Sequence, residues 1–136
     1  MYNFNYHRPS SLADAAKTLQ GASEGKFVAG GMTLIPTLKQ RLAKPSDLID
    51  LARIPDLKGI KKDGNTVVIG AMTKHVEVAT SDVVRSAIPG LASLAEHIGD
   101  PAVRNRGTIG GSIANNDPAA VYPSAVVALK IGRAHV

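Results

Sequence analysis

The chain has 136 residues, enough for one ordinary domain or two very small ones. Hydrophobic residues make up 44% of it, as in globular proteins, and no apolar run approaches the roughly 18 residues that cross a bilayer. It contains no cysteine, which excludes disulfides, thiolate metal sites and thiol nucleophiles, and its four histidines lack metal-ligand spacing. The formal charge of +5 allows a polyanionic partner, and a cytoplasmic location is the simplest interpretation.

The first part of the chain predicts alternating strands and helices. Ser11 and Asp14 have the spacing of a helix N-terminal cap, and the apolar residues that follow Ser11 recur with a helical period. A short apolar run at 27–29 predicts a buried strand, a helix is predicted over 34–42, and 47–51 predicts another strand. This alternation favours parallel pairing of the strands through helical crossovers.

The pattern changes near residues 54–59, where we place a boundary between two small α/β lobes of different topology. Apolar flanks around Asp63-Gly64-Asn65 are typical of an antiparallel hairpin. Short helices are predicted over 73–79 and 89–98, and a polar, glycine-bearing loop is predicted over 100–116.

The first candidate site is the turn Ala29-Gly30-Gly31-Met32-Thr33, between a predicted strand and a predicted helix. Glycines there let a ligand approach the main chain, and the unpaired amides at the start of a helix favour an anion such as phosphate. Thr33 adds a hydroxyl donor. A tight turn without any ligand explains the same glycines, and neither GxGxxG nor GxxxxGK(S/T) occurs in the chain.

The second candidate site is the stretch 104–117, which carries three glycines within five positions. Flanked by hydroxyl and amide side chains, these glycines can present consecutive backbone N–H groups to an anion. Arg104 and Arg106 either add charge to such a site or lie on a solvated surface. A hairpin turn or a bulge explains the glycines equally well, so each loop alone is a weak signal.

Together, the two loops resemble the flavin loops of one family, the FAD-binding subunits of molybdenum hydroxylases of the xanthine dehydrogenase and aerobic carbon monoxide dehydrogenase type. The AGGx(S/T) turn of that family appears as Ala29 to Thr33, and its TIGG loop appears as Thr108 to Gly111. The similarity extends through the segments FNYHRPSSLADA, LIPTLKQRLAKPSDLIDL, VVIGAMTKH and IGDPAVRNRGTIGGSIANNDPAA.

The resemblance implies a fold and a cofactor site. The fold class is α/β (α+β): a parallel βαβ-type lobe over 1–55 and an antiparallel sheet-and-helix lobe over 56–129 close on an extended FAD. The second lobe is incomplete here, because family members continue through the rest of it and a further domain. The implied flavin-binding residues are Val28, Ala29, Gly30, Gly31, Met32, Thr33, Leu34, Ile35, Thr108, Ile109, Gly110, Gly111 and Ser112.

The resemblance also implies an enzyme subunit, a flavoprotein oxidoreductase. The flavin carries the redox chemistry, and no residue of the chain is expected to act as acid, base, nucleophile or metal ligand. Electrons are expected to arrive from a molybdenum cofactor on a large subunit through two 2Fe-2S clusters on a small subunit. They would leave to a quinone, NAD or oxygen, in the cytoplasm or at the cytoplasmic face of the membrane.

Individual residues carry further expectations. Val121 stands where the family commonly has an aspartate near the flavin; one base change separates the two codons, and loss of the carboxylate is expected to weaken FAD binding. Packing is the expected role of Tyr2, Tyr6 and Tyr122, with stacking on the cofactor as the alternative. His75 is expected to be an exposed or hydrogen-bonded histidine rather than a ligand.

The last seven residues, KIGRAHV, look foreign to the rest of the chain. They are what one reading frame of a common short-read sequencing adapter encodes, and the next codon of the adapter is a stop. We therefore expect natural sequence to end near Leu129, with 130–136 as a non-native tail. Without the tail the chain has 14 basic and 11 acidic residues, which weakens the argument for a nucleic-acid partner.

Two other functions remain open at this point. One is a stand-alone FAD-dependent oxidoreductase with its own substrate pocket, active without partner subunits. The other is a nucleotide- or RNA-binding module, for which the 4% aromatic content offers no stacking platform.

Overall fold

The computed structural model describes residues 1–132, so the last part of the expected non-native tail, 133–136, lies outside the described residues. The first half of the chain forms a three-stranded sheet with two helices. Its elements are β1 (Asn5–His7), α1 (Leu12–Gly21), β2 (Gly25–Val28), α2 (Leu34–Lys39) and β3 (Asp47–Asp50), followed by 3₁₀ turns at Leu51–Arg53 and Pro55–Leu57.

All strand pairs of this sheet are parallel, as the alternation of strand and helix predicts. The strand order is β1-β3-β2, so β3 lies in the centre, with Leu48 opposite Tyr6 on one side and opposite Lys26 on the other. Both Leu48 and Ile49 are buried, which means that the central strand is covered on both faces. Ile49 packs in a small core with Ala15 of α1.

The ends of the two helices follow from local chemistry. The Ser11 side chain accepts a hydrogen bond from the Asp14 backbone N–H at 3.1 Å, which caps α1 as the sequence predicts. The second helix, α2, is shorter than the predicted 34–42. Arg41 adopts the left-handed conformation with φ of 59°, and the Leu42 N–H bonds the Thr37 carbonyl, the pattern of a Schellman cap.

The second half of the chain begins with the predicted hairpin, in which Gly64 occupies the two-residue turn with a φ of +56°. Helices follow it, and their apolar faces form a second core that includes Val78, Val84, Leu91 and the fully buried Tyr122. The elements are β4 (Ile60–Asp63), β5 (Thr66–Ile69), α3 (His75–Thr80), α4 (Asp82–Ala87), α5 (Pro89–Glu96), α6 (Pro101–Arg106), α7 (Ile109–Asn115) and α8 (Val121–Ala128).

The prediction of a loop over 100–116 is wrong, because that segment forms α6 and α7. Two side-chain caps start these helices: Asp100 accepts from the Ala102 N–H at 2.6 Å, and Thr108 accepts from the Gly111 N–H at 3.1 Å. Glycines at the start of α7 lower its intrinsic helix propensity, and for this reason the sequence alone does not predict the helix. Among residues 1–132, no helix is long and apolar enough to span a bilayer.

Candidate functional site

A cavity of about 870 Å³ lies where the two glycine loops meet. Small-molecule sites usually fall between roughly 300 and 1,000 Å³, so this cavity can hold a ligand as large as a dinucleotide. Ten of the predicted site residues line it: Ala29, Gly30, Gly31, Met32, Thr33 and Leu34 from the first loop, and Thr108, Gly110, Gly111 and Ser112 from the second.

The two loops are in direct contact, although 70 or more residues separate them along the chain. A Cβ added to Gly30 would overlap the Arg106 carbonyl oxygen and lie 2.7 Å from the Cα of Gly107. A Cβ added to Gly111 would lie 3.1 Å from the Cβ of Ala29. The glycines therefore let two backbones approach each other, in addition to leaving space for a ligand.

The second loop is held against the segment that precedes α3 by three backbone hydrogen bonds. The Ile109 N–H donates to the Thr73 carbonyl at 3.0 Å, and the Gly110 N–H donates to the Ala71 carbonyl at 2.9 Å. In the opposite direction, the His75 N–H donates to the Gly107 carbonyl at 3.1 Å. Hydrogen bonds within the protein backbone therefore hold the loop in position on the cavity wall.

These bonds correct the expectation that the second loop presents consecutive free N–H groups to an anion. The amides of Ile109 and Gly110 are used by backbone carbonyls, and the Gly111 amide is used by the Thr108 side chain. The Ser112 N–H bonds the Thr108 carbonyl at 3.0 Å. No nest of open donors remains in this loop, and its glycines serve close packing.

The first loop does offer open donors. Within residues 1–132, the backbone amides of Gly30, Gly31, Met32 and Thr33 make no hydrogen bond. The Thr33 side chain, at the start of α2, makes no capping bond. Gly31 has a φ of +74°, a conformation that side chains rarely adopt, and this aims the turn into the cavity. Open amides of this kind favour an anionic group.

The remaining predicted site residues lie elsewhere. Val28 and Ile35 line a smaller cavity of about 240 Å³ behind the first turn. Ile109 packs in the same hydrophobic core as Val78 and Leu91 and lines neither cavity. Of the two arginines, Arg104 donates to the Ile98 carbonyl at 2.6 Å, a structural role, whereas Arg106 lines the smaller cavity beside Gly30.

Several wall residues of the larger cavity escaped the prediction from loop motifs. Lys26 and Phe27 precede the first loop on β2, and Phe27 is 43% exposed, so the prediction of a buried strand at 27–29 is wrong for this residue. His75 and Val121 also line the wall, so the position at which the resemblance led us to expect an aspartate falls on the cavity surface. No motif marks Lys26 or Phe27, whereas their place at the end of a parallel strand next to the glycine turn could have indicated them.

His75 and Tyr122 form a buried pair beneath the second loop. The His75 Nδ1 lies 3.2 Å from the Tyr122 hydroxyl oxygen, and the ring centroids are 5.3 Å apart. Burial lowers the pKa of His75 from 6.5 to about 4 and raises the pKa of Tyr122, so both side chains are neutral at pH 7. The alternative that Tyr122 stacks on a cofactor is wrong, because this side chain is fully buried in the core.

Comparisons with known proteins place this geometry in a family. The sequence profile described as the FAD binding domain in molybdopterin dehydrogenase matches residues 2–131. The carbon monoxide dehydrogenase medium chain of Hydrogenophaga pseudoflava is 47% identical over 128 residues, which cover 93% of this chain and 45% of that protein. The alpha subunit of the 6-hydroxypseudooxynicotine dehydrogenase complex of Paenarthrobacter nicotinovorans is 41% identical, over 93% of this chain and 43% of that protein.

A solved structure of the Hydrogenophaga pseudoflava carbon monoxide dehydrogenase, in a form that lacks the Mo-pyranopterin moiety of the molybdenum cofactor, superimposes with a TM-score of 0.91. It is 47% identical, and the match covers 93% of this chain and 45% of that chain. The chain therefore spans less than half the length of the relatives it matches.

Proposed function

Since the chain belongs to the family of FAD binding domains in molybdopterin dehydrogenases, we propose that it holds FAD in the cavity between its two glycine loops. The observation that carries the proposal is the contact between the loops, in which Gly30 lies directly against Arg106 and Gly107. Two loops that match the family's flavin motifs thereby form a single wall, which the sequence alone does not require.

The residues present fit such a cofactor. The open amides of Gly30 to Thr33 suit the pyrophosphate, because within residues 1–132 they make no hydrogen bond and all four residues line the cavity. Met32 and Phe27 place exposed apolar surface on the same wall, where it can cover a ring system and exclude water from it. The volume of about 870 Å³ is in the range of sites for ligands of this size.

We propose further that the complete protein is the flavin subunit of a molybdenum-containing dehydrogenase. When bound, the flavin supplies the redox chemistry, while the residues of the two loops bind it, orient it and keep the site dry. Relatives are named as medium chains or subunits of dehydrogenase complexes, which supports partner chains that carry the molybdenum cofactor and the iron–sulfur clusters. The absence of cysteine from these 136 residues agrees with clusters held on another chain.

The same proposal includes two properties of the complete protein. Its electrons leave to a quinone, NAD or oxygen, and it lies in the cytoplasm, either free or at the cytoplasmic face of the membrane. The stand-alone oxidoreductase is the alternative, and it requires a substrate pocket and turnover without partner chains.

Titration of the purified chain with FAD tests the core of the proposal. We expect saturable quenching of flavin fluorescence, competition by ADP through the pyrophosphate site, and no competition by a single-stranded RNA oligomer. The Gly90→Ala variant is the matched control, because its added Cβ meets open space in α5. A folded chain, verified by circular dichroism, that shows no saturable FAD binding would contradict the proposal.

A further inference from the structure

The buried pair beneath the second loop has a polar atom that the fold does not use. The Tyr122 hydroxyl bonds the Nδ1 of His75, and within residues 1–132 no partner is found for the other ring nitrogen, Nε2. Among those residues every fully buried side-chain nitrogen or oxygen has a partner, so Nε2 is not sealed in the core. His75, with only 4% of its surface exposed, is one of the residues that line the larger cavity.

The position of Nε2 is defined by Gly107. A Cβ added to Gly107 would lie 2.6 Å from Nε2, so the edge of the imidazole fills the space that a side chain would occupy. The His75 N–H also bonds the Gly107 carbonyl. The ring is therefore fixed against the second loop by its backbone on one side and by Tyr122 on the other.

The partner Tyr122 also decides which nitrogen carries the proton. Its hydroxyl is fully buried, and a buried hydroxyl that donates to nothing is costly. The phenol therefore donates, and His75 Nδ1 accepts. A neutral imidazole that accepts at Nδ1 carries its hydrogen on Nε2, and burial keeps the ring neutral by holding the pKa of His75 near 4.

We propose that His75 is a ligand-positioning residue, whose Nε2–H, oriented by Tyr122, donates a hydrogen bond to an acceptor oxygen of the bound flavin nucleotide beside Gly107. This inference rests on the proposed function, because the ligand is the flavin of that cavity. The amides of 109–112 in the second loop already bond other groups of the protein, and His75 thus supplies a donor that these four amides do not.

Two substitutions of His75 separate the two ring nitrogens. His75→Asn keeps an oxygen near the Nδ1 position, which can accept from Tyr122, and removes the group at Nε2. His75→Gln places an amide N–H near the Nε2 position. We expect His75→Asn to weaken FAD binding about 10-fold and His75→Gln to restore it to within about threefold of the unsubstituted chain, as for one lost and regained hydrogen bond. Melting midpoints of the two variants serve as the folding control.

The outcomes distinguish the role proposed for His75 from the proposed binding of FAD, on which that role depends. If the unsubstituted chain binds FAD and His75→Asn binds it equally well, or if His75→Gln is as weak as His75→Asn, the inference is wrong and the function stands. If the unsubstituted chain takes up no FAD, both are wrong.

Tyr122→Phe covers the case in which His75→Asn does not fold, because it removes one oxygen without changing the ring. Without the phenol, neither tautomer is enforced. We expect an FAD affinity about threefold lower, and an unchanged affinity would overturn the role assigned to the pair.

Discussion

Gly30→Ala tests the contact between the two loops most directly. The φ of Gly30 lies outside the left-handed region, so alanine is allowed at this position and its only penalty is steric. The added Cβ would overlap the Arg106 carbonyl oxygen and lie 2.7 Å from the Gly107 Cα. Both atoms belong to the backbone of the other loop, so no side-chain rotation relieves the overlap and the loops must move apart.

The magnitude follows from the size of the overlap. Inserting one methyl into a tightly packed contact costs about 1–3 kcal/mol, and we expect the upper half of that range because the obstructing atoms are main chain. FAD binding should weaken about 10-fold or more, since the cavity wall is formed by the two loops together. Urea unfolding followed by circular dichroism gives the free energy of unfolding, and a flavin fluorescence titration gives the dissociation constant.

Gly90→Ala is the comparison that makes the result specific. Its Cβ meets open space at the second residue of α5, where alanine is favoured over glycine by less than the roughly 0.5–1 kcal/mol of a helix interior. We therefore expect the two glycine-to-alanine changes to shift the free energy of unfolding in opposite directions. A Gly30→Ala chain that matches the unsubstituted chain within about 0.5 kcal/mol and binds FAD normally would refute the loop contact.

Four further predictions concern the second lobe and the tail. Thr108→Val removes the cap on the Gly111 N–H and should lower the free energy of unfolding by about 1 kcal/mol in the same urea assay. The folded pKa of His75, about 4, lies below the unfolded value of 6.5, so the unfolded state binds the extra proton between these pH values. The protein therefore loses stability progressively as the pH falls from 6.5 to 4, by at most about 3 kcal/mol in total, and this slope should be absent in His75→Gln unfolding curves. Val121→Asp places a carboxylate on the cavity wall and should tighten FAD binding in the titration, whereas an unchanged affinity would show that this position does not contact the ligand. Long-read resequencing of the gene should show further flavoprotein codons after the one for Leu129, and a genuine stop after the KIGRAHV codons would contradict the adapter origin of the tail.

Local sequence patterns determined the backbone of the first lobe. Ser11 and Asp14 cap α1 because a short side-chain oxygen reaches the N–H three residues on, whatever the rest of the chain does. The parallel pairing of β1, β2 and β3 follows from the alternation with helices. Each helix carries the chain back to the starting edge of the sheet, so that the next strand runs in the same direction as the one before it. The hairpin around Gly64 is equally local.

The sequence also showed the two glycine motifs, but it did not show that the first loop keeps open amides whereas the amides of the second loop are hydrogen-bonded within the protein. A glycine at position 110 or 30 indicates only that another group, either a ligand or a protein segment, approaches the backbone closely. Whether that neighbour is a ligand or another loop depends on a segment far away in the chain, here Ala71 for Gly110 and Arg106 for Gly30. The helices α6 and α7 were not predicted for a related reason. Each helix is short, and it is stabilised by tertiary contacts rather than by the helix propensity of its own residues.

The sequence by itself therefore determined the family, the types of sheet and the two glycine loops that line the larger cavity, because motifs, caps and periodicities act over a few residues. Only the tertiary structure decided which amides remain open, that Ile109 belongs to the core, and that His75 and Tyr122 meet across 47 positions of the chain. Hydrogen-bond partners and burial depend on which distant segments pack together. Local sequence patterns do not specify these long-range contacts, which are determined only when the whole chain folds.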